Sequence, residues 1–94
     1  MNIPKGSYDD ESLKPAWIPI QNGDGTPAKP MIRCACGALM SIRLHHVHGD
    51  GRVTASFLHP IVPQNPPQAP EHQGCGFHEF LVLDGYDGPE FPGA

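Results

Sequence analysis

The sequence predicts a small all-β fold: a three-stranded antiparallel ribbon with an extended Pro-rich N-terminal arm, a Pro-rich insertion loop and a short C-terminal tail. Three observations lead there. Apolar residues recur at every second position from Ala38 to Leu44 and again from Val53 to Phe57, with His46, His48 and His59 continuing those faces, which is the period of half-buried strands. Twelve prolines and eleven glycines in 94 residues leave no helix of useful length. Three cysteines fall in two short clusters, Cys34-Ala35-Cys36-Gly37 and Cys75-Gly76-Phe77-His78, which bracket the ribbon.

Residues 1–30 have neither a helical nor a strand period. They carry Pro4, Pro15, Pro19, Pro27 and Pro30 and an acidic run at Asp9, Asp10 and Glu11, which predicts an extended arm without a ladder of its own. The apolar cluster Ala16-Trp17-Ile18-Pro19-Ile20 holds the only Trp. A free Trp-Ile pair is an aggregation liability, so Trp17, Ile18 and Ile20 are expected to pack, either on their own ribbon or on a neighbouring chain.

The ribbon domain spans 31–83. In its first strand Ala38, Met40, Ile42, Leu44, His46 and His48 share a face; in its second, Val53, Ala55, Phe57 and His59 do. Asp50-Gly51 between them is a two-residue hairpin signal that pairs Gly49 with Arg52 and Leu44 with Phe57. Residues 60–74, with Pro60, Pro63, Pro66, Pro67 and Pro70, are expected to form a long loop. A third short strand runs from Phe77 to Leu83, ended by Asp84-Gly85 and followed by a tail over 84–94.

A foldable core of roughly 50 residues buries too little surface to offset its chain entropy comfortably. A bound metal could add on the order of 10 kcal/mol. Two cysteines as close as Cys34 and Cys36 form a strained bridge, and three cannot all pair within one chain. With no signal-peptide pattern and no apolar run near about 18 residues, the expectation is an intracellular setting, no membrane partner, and thiols free for metal. The natural metal is one structural Zn2+, held by Cys34, Cys36, Cys75 and one imidazole. Three histidines compete for the fourth place. His78 completes a compact Cys-x-x-His chelate and ranks first; His59, on the apolar face at the hairpin's end, ranks second; His72, in the order His-x-x-Cys-Gly, ranks third.

His45, His46 and His48 form a denser group, with His46 and His48 on one face. With Asp50 they are a candidate second metal site or an interface. The net charge is −4, and the six Lys and Arg do not cluster. Arg33, Arg43 and Arg52 could at most form a small local patch, so nucleic acid is not the favoured partner.

Taken together, Cys34-x-Cys36-Gly37, the hairpin and Cys75-Gly76-x-His78 resemble the zinc-ribbon group over about residues 31–83, with a first knuckle one residue short and a second that keeps one thiolate. The run from His45 to His59, continued by Cys75-Gly76-Phe77-His78, also looks like short proteins encoded by tailed phages. The zinc-ribbon resemblance implies a rigid platform whose function is fixed by its surface. The expectation is a non-enzymatic structural protein whose arm and loops bind neighbouring subunits of a larger assembly such as a phage virion, as capsid cement or a tail component. A nucleic-acid or transcription-apparatus binder is the alternative, and a metallohydrolase or nuclease built on His45 to His48 is the third class.

Overall fold

The computed structural model describes residues 1–61 and 74–93. Within them the chain is all β, without a helix. The strands are β1 (Asn2–Ile3), β2 (Ala16–Gln21), β3 (Pro27–Arg33), β4 (Leu39–Ser41), β5 (His46–Val47), β6 (Val53–Thr54), β7 (Phe57–Leu58), β8 (His78–Glu79) and β9 (Val82–Leu83). They form a three-stranded antiparallel sheet β2-β3-β4, the antiparallel pairs β5-β6 and β7-β8, and a parallel pair β1-β9. No described helix is long and apolar enough to cross a membrane.

The N-terminal region is not an extended arm. Ala16–Gln21 and Pro27–Arg33 make the longest hairpin in the described chain. Its turn is closed by Asn22 N donating to Thr26 O at 2.8 Å, while Asp24 Oδ1 accepts from the Thr26 amide and hydroxyl. Pro27 begins β3, and Pro19 and Pro30 are accommodated where the ladder is irregular. Ile18 pairs with Met31 and Ile20 with Ala28, so Pro19 stands against both Lys29 and Pro30 at a bulge, where a missing N–H breaks no regular rung.

This hairpin supplies much of the core. Ile3, Trp17 and Ile32 are buried together with Cys34, Ala38, Ile42, Val47, Val53, Phe57, Leu81 and Leu83. Trp17 Nε1 donates to Asp84 O at 2.9 Å, the Trp17 ring meets Tyr86 edge-on, and the terminal ammonium donates to Phe80 O at 2.7 Å. Trp17 and Ile18, 2% and 0% exposed, therefore pack on their own chain and offer no surface to a neighbour; Ile20 is half-buried.

The ribbon is also more broken than its period suggests. Leu39–Ser41 pairs with β3, whereas His46–Val47 pairs with β6. A turn in which His45 N donates to Ile42 O separates them. That turn shifts the buried phase from even positions (Ala38, Ile42) to odd (Val47), leaving Leu44 exposed. The hairpin loop has three residues, not two. Val47 faces Val53, and the Gly51 amide closes onto His48 O with Gly51 at φ +92°, the left-handed residue of a type I turn plus bulge. The third strand is likewise split between β8, which pairs with β7, and β9, which pairs with β1.

Candidate metal centre

Three separate segments bring donors together. The first is the Cys34–Gly37 turn, which follows β3 directly. Cys34 N donates to Ala38 O and Gly37 N to Cys34 O, both at 2.8 Å, and Gly37 adopts φ +96°, a conformation that favours glycine. Arg33 fixes the turn from below. Its side chain is 3% exposed, and its guanidinium donates to Gly37 O at 3.2 Å and to Tyr8 O at 2.9 Å, with Glu11 Oε1 at 3.8 Å.

The second and third segments are locked to each other. His59 follows β7 and its amide donates to Phe77 O, while the Cys75 and Gly76 amides both donate to His59 O, at 3.3 and 2.8 Å. Gly74 sits so close that a Cβ there would lie 1.6 Å from Pro60 O, so any larger residue would push the Cys75 turn away.

Cys34, Cys36, His59 and Cys75 thus place their donor atoms within 4.8 Å of one another and could hold a metal ion. His59 Nδ1 lies 3.6 Å from both Cys36 Sγ and Cys75 Sγ, and Cys34 Sγ lies 3.3 Å from Cys75 Sγ. Around a tetrahedral zinc, with bonds of about 2.3 Å to sulfur and about 2.0 Å to nitrogen, a sulfur–nitrogen pair stands about 3.6 Å apart and two sulfurs about 3.8 Å. The sulfur–nitrogen separations match. The sulfur–sulfur contact is about half an ångström shorter than that. Cys34 and His59 are buried, and Cys75 faces solvent.

The electrostatics of the thiols fit a site that wants a cation. Burial pushes the Cys34 thiol up to about 12, helped by its Cys75 and Cys36 neighbours and opposed by the Cys36 amide. At Cys75, burial acts upward too, but the Phe77 amide and contacts with Cys34, Cys36 and His59 outweigh it and bring the thiol down to about 7. Crowded thiols cannot all ionise at neutral pH without a positive charge among them.

The histidine ranked first in sequence is not in the cluster. In the β7-β8 register His78 stands opposite Leu58 on the outward face, with Nε2 2.9 Å from Ser56 Oγ. His59 shares the inward face with buried Phe57, two residues earlier, and so reaches the sulfurs. Strand parity decides between them. His72 lies outside the described residues.

The His45, His46, His48 and Asp50 group also resolves differently. His45 Nδ1 contacts Ala55 O at 3.1 Å, and Asp50 pairs with Arg52 at 2.9 Å. His46 and His48 stack, with ring centroids 4.2 Å apart, and meet Glu90 in place of Asp50: His46 Nε2 is 3.3 Å from Oε2 and His48 Nδ1 is 3.8 Å from Oε1. These three donors also lie within 4.8 Å of one another. Nothing local in the sequence marks Glu90, which reaches the histidines because Phe91 and Val47 exchange two backbone hydrogen bonds of 2.8 Å. Of the three arginines that could share a basic patch, Arg33 is buried and Arg52 pairs with Asp50.

Fold and site together define a small all-β protein with a Cys3His cluster able to hold a metal ion. Compared with protein-family models, curated proteins and solved structures, the chain matches none of them.

Proposed function

We propose that this chain is a non-enzymatic interaction module, stapled by one structural zinc ion on Cys34, Cys36, His59 and Cys75. The observation that carries this reading is the donor set: three sulfurs and one imidazole supply all four tetrahedral positions from protein. Structural zinc sites are closed in this way, whereas catalytic zinc keeps a position for water or substrate. The thiolate-rich donor set selects zinc over hard cations such as Mg2+ and Ca2+.

The binding surface in this reading is the outer face of β7 and β8. There Leu58 is 46% exposed and Phe80, just beyond β8, 72% exposed. Their register puts them on one side, together with Ser56 and His78. The partners are neighbouring protein subunits of a larger assembly, and the tailed-phage resemblance suggests a virion. The N-terminal region contributes to this role through the core it builds.

Native mass spectrometry of the full chain tests the metal half. One zinc per chain is expected, with loss of dispersed amide resonances on chelation. A chain that purifies without metal and keeps its fold in chelator would overturn it. The interaction half predicts that a Leu58→Asp, Phe80→Asp double variant keeps its zinc and fold but fails to co-assemble; undiminished incorporation would refute it.

A further inference from the structure

We propose that His46, His48 and Glu90 form a second, open metal site that takes a divalent first-row transition ion. The construction starts from strand geometry. His46 and His48 flank buried Val47 on β5 and so point to the same side. The Val47–Phe91 bridge lays the C-terminal segment alongside, which sets Glu90 against His48 and diagonal to His46. Lys29 then clamps both segments from behind, with Nζ donating to Arg43 O, His45 O and Pro92 O at 2.5–3.0 Å. Burial holds this ammonium below the ordinary lysine range.

Each donor is already prepared for a ligand. His48 Nε2 lies 2.9 Å from Thr54 Oγ1, which orients the ring and leaves Nδ1 turned to the Glu90 carboxylate. His46 Nε2 is almost fully shielded from solvent and makes no hydrogen bond, although Glu90 Oε2 is 3.3 Å away. A buried ring nitrogen without a hydrogen-bond partner is costly, and a metal ion between it and the carboxylate would satisfy both. Ligand atoms around a tetrahedral or octahedral ion stand about 3.0–3.4 Å apart, close to the two nitrogen–oxygen separations of 3.3 and 3.8 Å; the stacked rings would turn out of parallel to face one ion.

The donor set differs in kind from the Cys3His cluster. It contains no sulfur and only three protein ligands, which suits Zn2+, Fe2+ or Ni2+ with water in the remaining positions. Glu90 is 57% exposed, so the ion would be reachable from solvent.

The test uses the full chain with one equivalent of Zn2+ added; unshifted His46 and His48 imidazoles at that point establish that the cysteine cluster holds it, so that the second site is read apart from the first. A second portion of Zn2+ is followed by calorimetry and by long-range 1H–15N spectra of the imidazoles. One further equivalent is expected, with coordination shifts at His46 Nε2 and His48 Nδ1. Glu90→Gln should weaken that equivalent at least about tenfold. Glu90→Asp, which keeps the charge but draws it back by one methylene, should fall between Gln and wild type, and Asp50→Asn should change nothing. Amide spectra of the exposed Glu90 variants establish that they fold. The proposal is overturned by the absence of a second equivalent, by uptake unchanged in Glu90→Gln, by Glu90→Asp equal to wild type, or by shifts confined to other imidazoles.

Discussion

The two imidazole clusters of this protein are built by opposite means. The Cys3His cluster joins the Cys34–Gly37 turn to the His59 and Cys75 segments, which backbone bonds already hold to each other; Cys34 belongs to the core and His59 is buried beside it. The His46/His48/Glu90 cluster sits on paired strands that hold their shape through backbone bonds and a lysine clamp, and it opens to solvent. In the first, metal would tie the Cys34–Gly37 turn to the His59–Cys75 unit; in the second, the segments are already tied by backbone and metal would be a guest. Donor number and donor softness therefore separate a staple from an accessible site within one small chain.

The comparison breaks first, and most visibly, at the staple. Cys34→Ser should abolish the first equivalent of metal and unfold the region around His59 and Cys75, because apparent metal-binding energies of small zinc domains run to about 10–16 kcal/mol. His59→Ala should do the same while His78→Ala keeps the metal, since His59 Nδ1 faces the sulfurs and His78 turns to Ser56. Metal content by native mass spectrometry across the three variants reads this directly.

A smaller effect is expected away from the staple. Trp17→Ala removes the largest buried side chain and its bond to Asp84 O, and should cost about 3–5 kcal/mol in denaturant unfolding while leaving metal stoichiometry intact. Lost metal in that variant would mean that the N-terminal hairpin and the staple are one cooperative unit. Glu90→Gln should shift stability by no more than about 0.5 kcal/mol, as for a surface substitution, in contrast with every staple variant.

The smallest effect should come from the Asp24 turn. Its carboxylate is held below the ordinary range by the Thr26 hydroxyl and amide. A lowered folded-state value contributes stability above the unfolded pKa that is lost as pH falls through the folded one. The thermal midpoints of wild type and Asp24→Asn should therefore differ slightly at pH 7 and converge toward pH 2.

These contrasts also explain what could be read from residue order. The cysteine clusters were legible because Cys34-x-Cys36-Gly37 and Cys75-Gly76 are local turn chemistry; of the Val53, Ala55, Phe57, His59 face, all but Ala55 are buried, since the strand breaks between β6 and β7. The N-terminal hairpin was not, because its prolines read as breakers, although Asn22-Gly23-Asp24-Gly25 is a turn signal of the same kind as Asp50-Gly51. A bulge absorbs Pro19 and Pro30, and bulges leave no mark in a pattern of alternation. The choice between His59 and His78 needed the β7-β8 register, and the exchange of Asp50 for Glu90 needed a bridge between distant segments.

The central claim is that one zinc ion is bound by Cys34, Cys36, His59 and Cys75. Zinc-edge X-ray absorption on the full chain loaded with one equivalent tests it most directly. Three sulfur scatterers at about 2.3 Å and one nitrogen at about 2.0 Å are expected. A first shell dominated by oxygen and nitrogen would contradict it.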